Sequence, residues 1–145
     1  MSKVSIVYWS GTGNTEAMAN MIAEGVKEAG KEADVLPVSI ASVADLQAAS
    51  AFALGCPSMG VEQLEEAEME PFMCELESGI SGKQVGLFGS YGWGNEEWMR
   101  DWEERVGMAG ASVVNGEGIA VNGVPGTDAE ETLKDLGRTL AGLVD

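Results

Sequence analysis

The sequence predicts an α/β domain whose five-stranded parallel sheet carries helices on both faces. Five apolar runs alternate with segments of helical periodicity, and most connections between them are short. The run 51–56 is apolar throughout, as a strand covered on both faces should be. A chain of 145 residues can bury roughly 70% of the surface that its unfolded form exposes, so we expect residues 1–145 to form one domain.

The first 38 residues predict two strands and a helix. Residues 3–9 read as a buried strand, and the helix over 14–29 ends before Gly30, a residue favoured just past a helix C-terminus. The second strand, 33–38, contains Pro37, which cannot donate a hydrogen bond to a neighbouring strand. We therefore expect this strand at an edge of the sheet.

The middle of the chain predicts the third strand and two short helical segments. Residues 42–49 form one or two helical turns with Val43 and Leu46 facing inward, and the strand 51–56 follows. An irregular region over 57–70 leads into a short helix over 71–77.

Residues 83–90 form the fourth strand, and 95–108 form a helix. The fifth strand consists of 111–114 and 118–121, with Gly116 near its middle as a possible bulge. The inward stripe of the 95–108 helix is Trp98, Trp102 and Val106, which we expect in the core.

The last helix begins at a predicted cap. Thr127 is expected to cap it and to form a capping box with Glu130. The inward stripe of this helix is Leu133, Leu136, Leu140 and Leu143.

The charge balance excludes several classes of partner. The chain has 24 acidic and 8 basic residues, a formal net charge of -16, which repels nucleic acid and anionic membranes and favours basic partners. The other interpretation is that the high negative charge serves only to keep the protein soluble. No apolar stretch approaches the ~20 residues of a membrane helix, and the first strand begins at residue 3, so we expect no signal peptide and a cytoplasmic protein.

Cys56 and Cys74 are the two cysteines, and the chain has no His. This composition supports neither a disulfide framework nor a metal site. We expect both thiols to be buried and structural.

The segment between the first strand and the first helix is typical of an anion site. It is rich in Gly, Ser and Thr, so backbone N–H groups and hydroxyls converge at the positive end of a helix dipole. No Lys or Arg occurs from residue 4 to residue 26, which favours a monophosphate held by hydrogen bonds over phosphoryl transfer. A simple N-terminal cap is the alternative. The residues concerned are Ser10, Gly11, Thr12, Gly13, Asn14 and Thr15.

Two further loops should meet this one. The segments 10–15, 57–62 and 90–95 each leave the C-terminal end of a predicted strand, where folds of this class bind ligands. The second loop offers the thioether of Met59, and the third presents Trp93 between two glycines, which suggests a flat ligand. Core packing is the alternative for both side chains, and Trp9 could shield the ligand.

Four runs of residues, in order along nearly the whole chain, resemble the short-chain bacterial flavodoxins. The fifth strand lacks the large insertion that marks the long-chain group. The resemblance implies strand order 2-1-3-4-5, with FMN bound between strands one and three. The matching runs are IVYWSGTGNTE (6–16), LGCPSMG (54–60), EPF (70–72) and GLFGSYGWG (86–94).

The resemblance also implies which residues contact FMN. The loop from Ser10 to Thr15 would hold the phosphate, Met59 and Trp93 would cover the two faces of the ring, and Glu62 would accept from N3–H. Backbone groups of residues 90–92 would meet the pyrimidine edge. The full set is Ser10, Gly11, Thr12, Gly13, Asn14, Thr15, Ser58, Met59, Gly60, Val61, Glu62, Ser90, Tyr91, Gly92 and Trp93.

The resemblance implies that the chain would be a monomeric, low-potential, one-electron carrier that shuttles FMN between semiquinone and hydroquinone. Its partners would be basic patches of reductases and of oxidoreductases that otherwise use ferredoxin. Val61 departs from the Asp, Gly, Asn or Ser that the family usually carries there. A β-branched residue resists positive φ, so we expect Val61 to favour the turn in which the Gly60–Val61 peptide has flipped.

Two other functional classes share this architecture. A quinone or nitro reductase would need groups that guide hydride or protonate a substrate, and no His, Lys or Arg lies near the predicted site. A flavin-free signalling receiver would need an acidic cluster after strand one and a Lys after strand five, and the sequence has neither. The cluster Glu62, Glu65, Glu66, Glu68 and Glu70 is interpreted as a solvated face or a docking site for a basic partner.

Overall fold

The computed structural model describes residues 3–144 and confirms the predicted fold class. Met1, Ser2 and Asp145, which the single predicted domain includes, lie outside the described residues. The strands are β1 (Lys3–Tyr8), β2 (Glu32–Pro37), β3 (Ala51–Gly55), β4 (Gln84–Tyr91), β5 (Ser112–Val113) and β6 (Ile119–Asn122). The helices are α1 (Asn14–Glu28), α2 (Val43–Ala48), α3 (Met69–Leu76), α4 (Glu97–Met108) and α5 (Thr127–Ala141).

The strands form one parallel sheet in the order β2-β1-β3-β4-β5, with β6 also paired to β4. The order 2-1-3-4-5 is therefore confirmed. Among the described strands, β2 pairs with β1 alone, so the edge position predicted from Pro37 is correct. The missing N–H of that proline costs no ladder hydrogen bond at an edge.

Each face of the sheet is covered by a separate apolar core. In β3, Ala51 and Ala53 pack on the side of α1 and α5, whereas Phe52 and Leu54 pack on the side of α2, α3 and α4. This alternation explains why the run is apolar at every position. Trp98 and Trp102 are 1% exposed and belong to the second core, as predicted.

The helices α1 and α5 pack with their backbones in close approach. A Cβ at Gly25 of α1 would collide with the carbonyl of Lys134, and one at Gly137 of α5 would collide with the carbonyl of Ile22. Both glycines are buried, and their contact sets the distance between the two helices.

The fifth strand departs from its prediction. It is divided into β5 and β6 by a 3₁₀ turn over Val114–Gly116, rather than bent by a single bulge residue. Asn115 and Gly116 have φ values of 66° and 85°, so two successive left-handed residues interrupt the strand. Both parts still pair with β4, which keeps the sheet continuous.

The predicted start of the last helix is also wrong in detail. Gly126, not Thr127, occupies the N-cap position, and among residues 3–144 no side chain accepts from the first N–H groups of this helix. Glu130 pairs instead with Lys134 at 3.4 Å. Leu143 lies beyond the end of α5 and is 38% exposed, so it is not part of the inward stripe.

The two cysteines differ from each other. Cys56 is buried, and that burial raises the pKa of its thiol to about 12. Cys74 is exposed on the outer side of α3, so the prediction of a buried thiol is wrong there. Within residues 3–144 no His, Cys, Asp and Glu cluster is arranged to hold a metal ion, and no helix has the length and apolarity to cross a membrane.

Candidate functional site

Three loops meet at the C-terminal edge of the sheet and enclose a cleft of about 300 Å³. They are the β1–α1 loop (9–13), the β3–α3 loop (56–68) and the β4–α4 loop (92–96). This volume lies at the small end of the ~300–1,000 Å³ range of small-molecule sites. The cleft is lined by Trp9, Gly11, Thr12, Asn14, Pro57, Ser58, Met59, Ser90, Tyr91, Gly92 and Gly123.

The β1–α1 loop presents hydrogen-bond donors without a basic side chain. The Ser10 hydroxyl oxygen accepts from the N–H groups of Gly13 (3.0 Å) and Glu16 (3.4 Å), which leaves its own proton free to be donated. Gly13, at φ 97°, occupies the N-cap of α1 and supplies no side chain there. Within residues 3–144 the N–H groups of Gly11, Thr12 and Thr15 have no partner, so they remain available to an anion.

The Thr15 side chain is buried and does not line the cleft. Its side chain is 1% exposed, and its hydroxyl lies 3.1 Å from that of Ser90, whose backbone N–H also points to it at 3.4 Å. The Thr15 side chain therefore joins the start of α1 to the end of β4. Its backbone N–H has no partner among residues 3–144 and so remains available to a ligand.

The β3–α3 loop begins with a tight turn. Met59 and Gln63 exchange two backbone hydrogen bonds of 2.9 Å, and Gly60 takes a left-handed φ of 53°. Val61 is 80% exposed and avoids positive φ, in agreement with its β-branched side chain. Glu62, at φ 50°, carries the second left-handed position.

Met59 and Trp93 are both available to a ligand. The Met59 side chain is half-buried and lines the cleft. Trp93 is 64% exposed beside the cleft, so core packing is excluded as its role. Tyr91 rather than Trp93 lines the cleft from the β4 side, and its ring packs against Trp98 with centroids 5.6 Å apart.

The Glu62 carboxylate does not line the cleft. It accepts hydrogen bonds from the backbone N–H of Glu97 at 2.7 Å and of Asn95 at 3.4 Å. The residue expected to meet the flavin N3–H is thus bound to the first turn of α4.

The structure adds residues that the sequence reasoning missed or left open. Gly123, just after β6, lines the cleft and donates its N–H to the Tyr91 carbonyl at 2.9 Å. Its position at the end of a strand was the available signal. Trp9 also lines the cleft, and its indole N–H donates to Glu68 at 3.1 Å. A Cβ at Gly11 would lie 3.2 Å from the Trp9 ring, so this packing needs a glycine.

The acidic cluster is not one solvated face. Glu65 is 8% exposed and accepts from the N–H groups of Ala67, Glu68 and Met69 at 2.8, 2.8 and 3.0 Å. Burial alone would raise the pKa of the Glu65 carboxyl, but these three donors outweigh it and the pKa is lowered. Glu65 thereby begins α3 two residues before the predicted start.

The family model for flavodoxin matches residues 6–137, which is most of the chain. The chain belongs to the flavodoxin family. It is 46% identical to the flavodoxin of Clostridium beijerinckii over 140 residues, covering 97% of this chain and 100% of that one. It is 48% identical to the flavodoxin of Megasphaera elsdenii over 138 residues, covering 95% and 98%.

The fold of solved flavodoxins agrees with this membership. The solution structure of two-electron reduced M. elsdenii flavodoxin matches with a TM-score of 0.86 at 46% identity, over 96% of this chain and 98% of that one. A flavodoxin from the domain Archaea matches with a TM-score of 0.85 at 29% identity, over 97% and 96%.

FMN is the cofactor of this family, and the described residues fit it. Flavodoxins are electron carriers and generally not enzymes. The β1–α1 loop has unpaired N–H groups and hydroxyl donors suited to a phosphate, and the cleft continues past Met59 and Tyr91, which suit a flat aromatic ring.

Proposed function

We propose that this protein is a low-potential carrier of single electrons that cycles its FMN between semiquinone and hydroquinone and turns over no substrate of its own. The turn from Met59 to Gln63 carries this proposal. Its Gly60 is in the left-handed conformation, and by the family resemblance this residue would lie beside the flavin ring edge. FMN supplies the redox chemistry, and the protein sets how readily each electron is accepted.

The Gly60–Val61 peptide is proposed to respond to the first electron. With FMN bound, the protein would have to supply a hydrogen-bond acceptor for the N5–H that one-electron reduction adds, because a donor without a partner is costly in a dry site. The Gly60 carbonyl would be that acceptor, because a positive φ at Gly60 and a Val61 outside the left-handed region are compatible with the flipped peptide.

The phosphate is proposed to be an anchor. Ser10 and the free N–H groups of the β1–α1 loop hold it, with Thr12 and Asn14 at the cleft wall. Because the loop has no cationic side chain, the loss of one hydroxyl donor should weaken phosphate binding measurably. Replacing Ser10 with Ala should weaken FMN more than riboflavin, and equal effects on both ligands would contradict the anchor.

Three side chains are proposed to wall the flavin. Met59, which lines the cleft, would cover the inner side of the ring, the exposed Trp93 would cover the outer side, and Trp9 would shield the ribityl and phosphate end. The hydrogen bond from Trp9 to Glu68 holds the indole in place.

Surface charge is proposed to lower the potential of the second electron. The net charge is -16. Each carboxylate ~12 Å from the ring raises the energy of an added negative charge by about 0.5–1 kcal/mol at an intermediate dielectric, before screening. The same field recruits partners, for which we propose basic patches of reductases and of oxidoreductases that otherwise use ferredoxin. We further propose that the protein acts as a monomer in the cytoplasm.

Anaerobic titration of the FMN-loaded protein with dithionite tests the carrier function. A blue neutral semiquinone that accumulates midway and then disappears supports it. Direct two-electron bleaching would contradict it, as would steady NAD(P)H consumption by the pure protein in the presence of a quinone.

A further inference from the structure

The Glu62 side chain links two loops that are distant in sequence. It belongs to the β3–α3 loop, yet its Oε1 accepts from the backbone N–H of Glu97 at 2.7 Å and its Oε2 from that of Asn95 at 3.4 Å. Glu97 is the first residue of α4, and the N-cap residue Glu96 supplies no side-chain cap. A residue 35 positions earlier in the chain therefore caps this helix.

The backbone on both sides is shaped around this contact. Glu62 has a φ of 50°, a left-handed conformation that non-glycine residues adopt only when their surroundings hold it. On the other side, Gly94 has a φ of 97°, and a Cβ there would lie 2.6 Å from the Glu62 carboxyl carbon. The carboxylate thus occupies the space that the missing side chain of Gly94 leaves.

The electrostatics also favour a carboxylate at this point. The first turn of a helix carries unpaired N–H groups and the positive end of the dipole, and a charged acceptor binds them more strongly than a neutral one. Of the two hydrogen bonds, the one to Glu97 is the stronger, because it is shorter (2.7 Å against 3.4 Å) and its donor lies in the first turn of α4.

We propose that Glu62 is a positioning residue that clamps the β4–α4 loop to the β3–α3 loop. By holding the first turn of α4, it fixes the segment that carries Trp93 beside the cleft. Its Oε2, held only at 3.4 Å, can then accept from the flavin N3–H while Oε1 stays on Glu97. This last step rests on the proposed function, whereas the clamp itself belongs to the protein without FMN.

Amide hydrogen exchange in the apoprotein tests the clamp without any flavin. In Glu62→Ala, we expect the Glu97 amide to exchange about tenfold faster than in wild type, the change that loss of one hydrogen bond to a charged group produces. Glu62→Gln should restore most of the protection, because its side-chain carbonyl still accepts. Glu66→Ala removes an exposed carboxylate from the same loop and should leave Glu97 unchanged.

An unchanged Glu97 rate in Glu62→Ala, or an equal change in Glu66→Ala, would overturn the clamp. Addition of FMN tests the shared role. Protection of the Glu97 amide should persist. Protection of the Asn95 amide should change, because Oε2 of Glu62, which accepts from it in the apoprotein, would turn towards the flavin N3–H. If FMN removed the protection of the Glu97 amide, Glu62 could not hold α4 and the flavin N3–H at the same time, and the proposed double role of its carboxylate would be overturned. If no FMN binds at all, the proposed function fails while the apoprotein result still decides the clamp.

Discussion

The hydroxyl groups of Thr15 and Ser90 lie 3.1 Å apart in the protein interior, although 75 positions separate them in the chain. Thr15 is the second residue of α1 and the last residue of the proposed phosphate loop, and Ser90 lies near the end of β4 and lines the cleft. This contact joins the start of α1 to the end of β4, the two elements that adjoin the β1–α1 and β4–α4 loops of the site.

Thr15→Val should destabilise the apoprotein by about 1–3 kcal/mol, because it leaves the buried Ser90 hydroxyl and N–H without a partner. Urea unfolding of the apoprotein measures this loss. Thr12→Val makes the same chemical change at an exposed position and should alter the free energy of unfolding by less than about 0.5 kcal/mol. Equal losses in the two variants would show that the buried contact does not stabilise the fold.

Val61→Gly should lower the potential of the oxidised/semiquinone couple. Val61 resists positive φ, so the glycine removes a penalty against the unflipped turn and stabilises the oxidised state. A preference of about 1 kcal/mol corresponds to about 40 mV for one electron. Potentiometric titration measures the shift, with Val124→Gly, another exposed valine, as the control. A rise or no change in potential would refute this role of Val61.

Acid should loosen the β3–α3 loop through Glu65. Its pKa in the folded protein is lowered from the ordinary value near 4.5: burial would raise it, but the hydrogen bonds from Met69, Glu68 and Ala67 outweigh burial. The ionised carboxylate therefore contributes stability that is fully present above about pH 4.5 and is lost as the pH falls through the lowered pKa.

Glu65→Gln should lose part of that stability already at pH 7, by about 1–3 kcal/mol, and should show a smaller further loss between pH 5 and 3. Urea unfolding across this range compares it with wild type and with Glu66→Gln, whose carboxylate is exposed. If the free energy of unfolding of Glu65→Gln fell with pH as steeply as that of wild type, other carboxylates would be the cause of the acid effect.

Gly25→Ala and Gly137→Ala should each destabilise the protein by about 1–3 kcal/mol, because the added methyl group forces α1 and α5 apart. Gly107→Ala is the matched control. It lies in α4 with nothing within 4 Å of its Cβ position, so alanine should be neutral or stabilise by up to about 1 kcal/mol. Thermal unfolding of the three variants distinguishes helix propensity from the close contact.

Local patterns were sufficient to predict the sheet and the proposed anion loop. The apolar runs, the proline of β2 and the Gly, Ser and Thr of residues 10–15 act through neighbours in the chain, so their effect can be read from short segments. The predicted cap at Thr127 and the predicted bulge at Gly116 were wrong because several local conformations suit such residues. Contacts with distant parts of the chain select among those conformations.

The sequence by itself determined the fold class, the strand order implied by family resemblance, and the residue types of the proposed FMN site. Only the tertiary structure decided what the acidic residues do. Glu62 and Glu65 look like any other members of an acidic run, but one caps α4 across 35 positions and the other lies buried under three N–H donors. A carboxylate takes the nearest unpaired donors, and which donors are nearest depends on how the whole chain folds.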